Sequence, residues 1–267
     1  MQDVEARIEA IRLDREHGSA WLTAEGLMLL GEIAAEMGAE EGWAEQLESL
    51  AGRISGAKPV MAGLGNGVER LASELIGLGP DAGKRSARWV AQEHVLTLRE
   101  ASEGAARRAA GLVKVGAVVA TCSYGSAIMR LCKHAVEARK QPRIVVLETN
   151  PEPAAYGRRL AVELGERGVS TEVVDAAGLA AAGGIQAGFI GADAVTTKYV
   201  VNGTPSLELA KAAQGRFPMY AVCESVKLIR DVPAEAGYEE VPLEMFVGVV
   251  TEGRLLTPAD VRRLLVF

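Results

Sequence analysis

The sequence predicts an α/β chain in which a helical N-terminal domain, residues 1–113, precedes a doubly wound, mainly parallel β-sheet domain, residues 114–267. Three observations predict it. Up to about residue 113, apolar residues recur at helical spacings with few β-branched runs. From residue 114, short β-branched runs are separated by helical patterns. Those runs are continuously apolar rather than alternating, as in strands covered on both faces, and intervening helices point to parallel βαβ units.

In the first part, Ile8, Ile11, Leu22, Leu27, Leu30 and Ile33 mark helical faces, and "LASELIGLG" closes on glycines that suit a helix C-terminus. The stretch "GRISGAKPVMAGLGNGVERLAS" interrupts the pattern with a Gly/Pro-rich loop leading into another helix. In the second part, "GAVVAT", "RIVVLE", "TEVVD", "AGFIG", "MYAVC" and "FVGVV" place strands near 116–121, 143–148, 171–175, 187–191, 218–222 and 246–250.

Composition narrows the function classes. A mixture of 49% hydrophobic and 24% charged residues is that of an ordinary globular protein. A net charge of -6 argues against direct nucleic-acid binding, which depends on Lys and Arg displacing counterions from phosphates. Cys122, Cys132 and Cys223 are odd in number and contain no Cys-x-x-Cys pair, so neither a disulfide framework nor a metal site is expected, and a cytoplasmic location fits. The charged N-terminus has no apolar leader, and no run is long enough to span a membrane. No Gly-x-Gly-x-x-Gly follows a strand, which argues against NAD and FAD, and no cofactor is expected.

Ligands of open α/β sheets bind beyond the carboxyl ends of the strands. Four such ends are polar: "TCSYGS", "ETNPEPAAYGRR", "GADAVTTK" and "CESVK". Thr121, Ser123 and Ser126 offer hydroxyls and backbone N–H groups to a phosphate, although Ser123 or Ser126 reads equally as a helix cap. Cys122 reads as a low-pKa thiol or as core; Cys132, on one apolar helix face, reads as core. His134 reads as a solvated surface residue, and His94 lacks an evident partner. Arg158 and Arg159 open a helix where a guanidinium can hold phosphate, or be solvated. Asp193, directly after "FIGA", reads as an acid/base of raised pKa or as a helix cap.

The ordered set "DREHGSA", "KPVMAGLGN", "ETNPEPAAYGRRLAVEL", "FIGADAV", "VVN" followed by "GTPSLELA", "PMYAVCESVKL" and "LTPADVRRLL" covers nearly the whole chain. It resembles the family of the alpha, beta and delta subunits of translation initiation factor 2B, whose metabolic members are ribose-1,5-bisphosphate isomerase and methylthioribose-1-phosphate isomerase. The resemblance implies a C-terminal Rossmann-like domain, a homodimer or higher oligomer made through that half, and a sugar-phosphate or nucleotide-phosphate pocket between the domains. Within it, Asp193 matches the acid/base of the isomerases' Gly-Ala-Asp motif, and Cys122 stands near their catalytic cysteine.

The same resemblance implies substrate contacts at His17, Gly18, Ser19, Thr121, Ser123, Tyr124, Ser126, Asn150, Arg158, Lys198, Asn202, Gly203 and Thr204. The chain departs from the isomerases at several of these. Alignment on Ser126 puts Tyr124 at the cysteine position, Asn150 replaces an arginine, His17 replaces another, and Asn202-Gly203-Thr204 lacks the isomerases' lysine. Two functions are therefore carried forward: a sugar-phosphate-binding protein with aldose–ketose isomerase chemistry, and a non-catalytic regulatory subunit that binds a sugar or nucleotide phosphate.

Overall fold

The computed structural model describes residues 2–38, 42–149 and 155–266. Helices α1 (Gln2–Leu13), α2 (Ser19–Glu36), α3 (Trp43–Ser55), α4 (Ala62–Leu78) and α5 (Pro80–Leu112) come first. They are followed by β1 (Val118–Cys122), α6 (Ser126–Glu137), β2 (Arg143–Leu147), α7 (Tyr156–Glu166), β3 (Ser170–Val174), α8 (Ala176–Ala181), β4 (Ile185–Gly191), β5 (Ala194–Val195), β6 (Tyr199–Gly203) and α9 (Ser206–Ala213). The chain ends with β7 (Met219–Val222), β8 (Tyr238–Pro242), β9 (Gly248–Val250), β10 (Leu255–Leu256) and α10 (Pro258–Val266).

Two compact units comprise Met1–Glu100 and Ala101–Phe267. Helix α5 continues past that division and ends next to the boundary expected at residue 113. In the first unit the apolar faces of α2, α3 and α4 meet: Leu22, Leu27, Leu30, Leu47, Ile54, Leu64, Leu71 and Leu75 are all buried. Burying such faces supplies most of the stability of helices this short, because isolated helices are marginal in water.

The second unit is built on a seven-stranded sheet in the order β10-β9-β7-β4-β1-β2-β3. Every neighbouring pair is parallel except β9–β10. The six parallel strands follow the doubly wound order, with the winding reversing between β1 and β4. All six expected strands are present, shifted by at most a few residues. Their continuous apolarity has a simple cause. Ala120, Cys122, Val145, Leu147 and Ile190 enter one core, while Val119, Ile144, Val146 and Phe189 enter a second, as the two-residue period of strands requires.

Two features were not anticipated. Strand β3 lies at the sheet margin and is largely exposed, so the expectation of burial on both faces fails there. A second, antiparallel sheet, β5-β6-β8, was missed altogether. Its strand β8, "YEEVP", has poor β-propensity and forms by pairing along the full length of β6.

Gly248 on β9 faces the backbone of β10. A Cβ there would lie 2.6 Å from the Leu256 carbonyl oxygen and 2.8 Å from Leu255 Cδ1. Gly248→Ala is expected to destabilise the protein by about 1–3 kcal/mol, the usual cost of overpacking. Urea titration checks it, and an unchanged midpoint would show that β10 yields freely.

Candidate functional site

The residues that follow β1 and β4 meet the requirement for a ligand crevice, because these strands flank the point where the winding reverses. Asp193 lies directly beyond β4, partly buried, and its N–H donates to the Val201 carbonyl at 2.8 Å. A strand rather than a helix follows it, so the helix-cap reading is overturned.

The Asp193 carboxylate shares its surroundings with a buried cation. Lys227 is 5% exposed, and its Nζ lies 2.9 Å from Glu224 Oε2. The Ser102 hydroxyl donates to the other Glu224 oxygen. Burial alone would lower the pKa of Lys227, but the charge of Glu224, followed by that of Asp193, raises it. Burial would likewise raise Glu224, and Lys227 holds it below the usual carboxylate range.

Cys122 ends β1 and is buried in the core. Desolvation pushes its thiol up to about 12, and the charges of Glu239 and Glu148 add to the effect against opposing bonds from Ser206 and Ser123. The hydrogen-bond pattern agrees. Asn202 Nδ2 donates to Ser206 Oγ at 2.8 Å, and the Ser206 hydroxyl donates to the Gly203 carbonyl at 2.6 Å. Since that proton is already used, the 3.5 Å contact between Cys122 Sγ and Ser206 Oγ is read as S–H donating to oxygen. The geometry is that of a protonated thiol rather than of the low-pKa thiol considered from sequence.

Around it, Thr121 is fully buried and its Oγ1 has no hydrogen-bond partner among the described residues. Ser123 adopts a left-handed φ of 51°, and Ser126 is the first residue of α6. The cap residue is Gly125, with no side-chain hydrogen bond, so neither serine caps the helix as expected. Tyr124 donates its hydroxyl to Glu163 Oε2 at 2.9 Å beneath the Arg159 guanidinium, 4.5 Å from the ring centroid. Burial and then Glu163 raise the pKa of this phenol.

The other candidates separate into groups. Asn202 and Gly203 belong to the Cys122 network, and the Thr204 N–H donates to the Gly237 carbonyl at 3.3 Å. Lys198 is exposed, and its side chain makes no ion pair among the described residues. Arg158 lines a cleft of about 430 Å³ with Glu148, Val173, Val174, Asp175 and Gly178. Asn150 lies outside the described residues.

In the first unit, His17 Nδ1 sits 2.8 Å from Asp14 Oδ2, and its ring stacks on Trp21 at 3.8 Å. Burial would raise the Asp14 carboxyl, but hydrogen bonds from the His17 backbone and ring lower it. Gly18 is the cap residue of α2, and Ser19 begins that helix with its carbonyl accepting from Thr23 Oγ1 at 2.7 Å. Two readings of other histidines need correction. His134 has a side chain only 10% exposed and pairs with Glu103 at 2.7 Å and Glu137 at 3.1 Å, and His94 does have a partner, Glu74 at 2.8 Å.

The model of the initiation factor 2 subunit family matches residues 15–253. The chain belongs to that family. A Pyrococcus furiosus protein named translation initiation factor eIF-2B subunit 2-like is 27% identical over 279 residues, covering 95% of this chain and 96% of that one. A Pyrococcus abyssi protein of the same name is 27% identical over 82% of this chain and 77% of its own. The crystal structure of the Pyrococcus horikoshii OT3 translation initiation factor eIF-2B has a TM-score of 0.82 at 24% identity, covering 97% and 98% of the two chains. A chain of the tetrameric eIF2B-beta2-delta2 complex from C. thermophilum has a TM-score of 0.79 at 19% identity over 98% and 92%. These structures share the fold.

For this initiation factor 2 family member, sequence reasoning missed Glu224 and Lys227, although "CESVK" was noted as a polar strand end. Their signal was a carboxylate and a lysine three residues apart immediately after an apolar strand. It also missed Ser206, which reads as an ordinary first-turn residue and becomes the hub of the Cys122 network only through the fold. Among the described residues, no group of three or more His, Cys, Asp or Glu could hold a metal ion, and no helix is long and apolar enough to cross a membrane.

Proposed function

We propose that this chain is an initiation factor 2B-like regulatory subunit that binds a phosphorylated sugar or nucleotide at the ends of β1 and β4 without turning it over. One observation carries the choice between binding and isomerisation. The Cys122 thiol is buried and held protonated, so it cannot serve readily as a reactive group at neutral pH. The polar loop after β1, ending in the uncapped start of α6, supports the phosphate part of the reading. Isomerase activity remains the second reading because Asp193, a partly buried carboxylate beside a buried cation, is the kind of group that moves protons on a sugar. Self-association is part of the proposal, since one solved structure of similar fold comes from a tetrameric complex.

The test combines thermal shifts with product analysis. Millimolar ribose 5-phosphate and nucleoside monophosphates are expected to raise the melting temperature, because a ligand that binds only the folded state stabilises it. Ribose 1-phosphate and ribose 1,5-bisphosphate are expected to remain unconverted. Ketose formation that is lost in Asp193→Asn would replace this reading with the isomerase one, and the absence of any shift would remove phosphate binding. Sedimentation is expected to give a species heavier than the 28.1 kDa chain; a monomer at micromolar concentration would refute the assembly.

A further inference from the structure

Between Arg85 and Glu100, helix α5 carries apolar residues on two opposite faces. One face is used inside the helical unit. Ala87, Val90, Ala91 and Val95 are buried there, and α2 comes so close that a Cβ on Gly31 would lie 2.5 Å from Ala91 Cβ. The other face holds Trp89, 63% exposed, and Leu96, 49% exposed. These two lie about two helical turns apart, so their side chains stand almost in line. A single exposed apolar residue needs no explanation, whereas an aligned pair of this size is the start of a seam. We infer that this face docks a second copy of the same chain, the two α5 helices packing antiparallel about a two-fold axis that passes between Gln92 and Glu93. The inference rests on the self-association proposed above and gives it a contact in the helical half.

A surface that meets its own copy across a two-fold axis must complement itself: if one residue touches a second, the second touches the first. Trp89 and Leu96 meet this condition when the tryptophan of each chain lies on the leucine of the other. That pairing alone fixes the register of two antiparallel helices. Nothing in it concerns charge, yet it sets Arg85, one turn before Trp89, opposite Glu100, one turn after Leu96, at both ends of the contact. Both are exposed, and neither forms an ion pair with another described residue. At the axis Gln92 faces Glu93, where the amide can donate to the carboxylate. Arg85, Trp89, Gln92 and Leu96 also follow the alternating spacing of a coiled-coil seam. Arg88, at the border of the face, is already held by Glu36 at 2.8 Å.

From Arg85 to Glu100 the helix is about 24 Å long. Two helices meeting over that length bury less than a standard interface of about 1,200–2,000 Å². The contact is therefore reversible on its own and adds to others in an assembly. An unrelated partner gains nothing from charges of opposite sign placed symmetrically about one axis.

Sedimentation of the full chain at micromolar concentration tests the inference. Trp89, Arg85 and Glu100 are exposed, so variants at these positions are expected to keep the wild-type circular dichroism and melting temperature. Trp89→Glu is expected to halve the mass of the wild-type assembly. Arg85→Glu and Glu100→Arg should each weaken association by about tenfold, since each sets like charges together at both ends. Combining the two substitutions in one chain should restore it. An equimolar mixture of the two single variants should restore it as well, because each chain then offers the sign that the other needs, and no contact within one chain can produce that rescue. An assembled wild type whose mass none of these substitutions changes would overturn the inference, leave self-association standing and assign the face to a different partner. Loss of mass in the variants without recovery in the double variant or the mixture would overturn the antiparallel pairing. A wild-type monomer would overturn both readings.

Discussion

Lys227→Met is expected to destabilise the protein by about 3–5 kcal/mol, because it leaves the Glu224 carboxylate buried without its counter-charge. Glu224 is 4% exposed, and the Ser102 hydroxyl, which also donates to it, cannot supply a positive charge. Adding Glu224→Gln should recover a large part of the loss, since the cost comes from one unpaired ion rather than from the missing attraction. Urea denaturation of the two single variants and the double variant measures this. The pH dependence supplies a second check with a definite sign. In the wild type the Glu224 pKa is depressed, so the pair's stabilisation is present above the ordinary Glu value and is lost as pH falls through the folded value. Lys227 is raised, so its part persists below the ordinary Lys value and is lost as pH rises through the folded one. In Lys227→Met the carboxylate is relieved by taking up a proton, so that variant should gain stability between pH 8 and pH 5. A double variant no more stable than Lys227→Met would refute the account.

Stability is also expected to fall steeply above pH 9. The thiols of Cys122, Cys132 and Cys223 are each pushed by burial from 9.0 up to about 12. Between those values the unfolded chain has released protons that the folded chain still holds. A raised folded pKa contributes stability that is complete below the unfolded value and lost as pH rises toward the folded one. Each thiol then costs about 1.4 kcal/mol per pH unit, and the three together about 4 kcal/mol per unit. Against a total stability of about 5–15 kcal/mol, a slope of that size removes the lower end of the range in little more than one pH unit. Urea midpoints at pH 8, 9, 10 and 11 measure the slope. Cys132→Ala should reduce that slope by about a third, whatever the small cavity does to stability at pH 8. A flat profile from pH 9 to 11 would show that these thiols reach solvent.

The large sheet was legible because its inner strands carry uninterrupted apolar runs, and such runs have few alternative uses in a chain of ordinary composition. The small sheet was not. "YVVNG" and "YEEVP" are separated by a helix and a strand, and nothing local in "YEEVP" announces that its backbone will pair with β6. The site divides along the same line. That Asp193 stands at a strand end could be read from "FIGAD", but its proximity to Lys227 depends on how the loops after β4 and β7 come together. Cys122 shows the limit most plainly: an exposed nucleophile and a core thiol share the letters "ATCS", and only the burial contributed by Ser206, Asn202 and the neighbouring strands decides between them.

The exposed margin strand β3 has a consequence for behaviour at high concentration. A strand paired on one side presents its other backbone edge as a template for further strands. Here that edge is only five residues long, and it opens with Ser170-Thr171-Glu172, where Glu172 is tied to Arg143 of β2 at 2.9 Å. The opposite margin, β10, is two residues long and is separated by the single residue Thr257 from Pro258 at the head of α10. Neither edge is long enough to seed a growing ribbon. The sheet is thus terminated by brevity on both sides and by charge at β3, and crowding many copies together should favour dispersal over fibre growth.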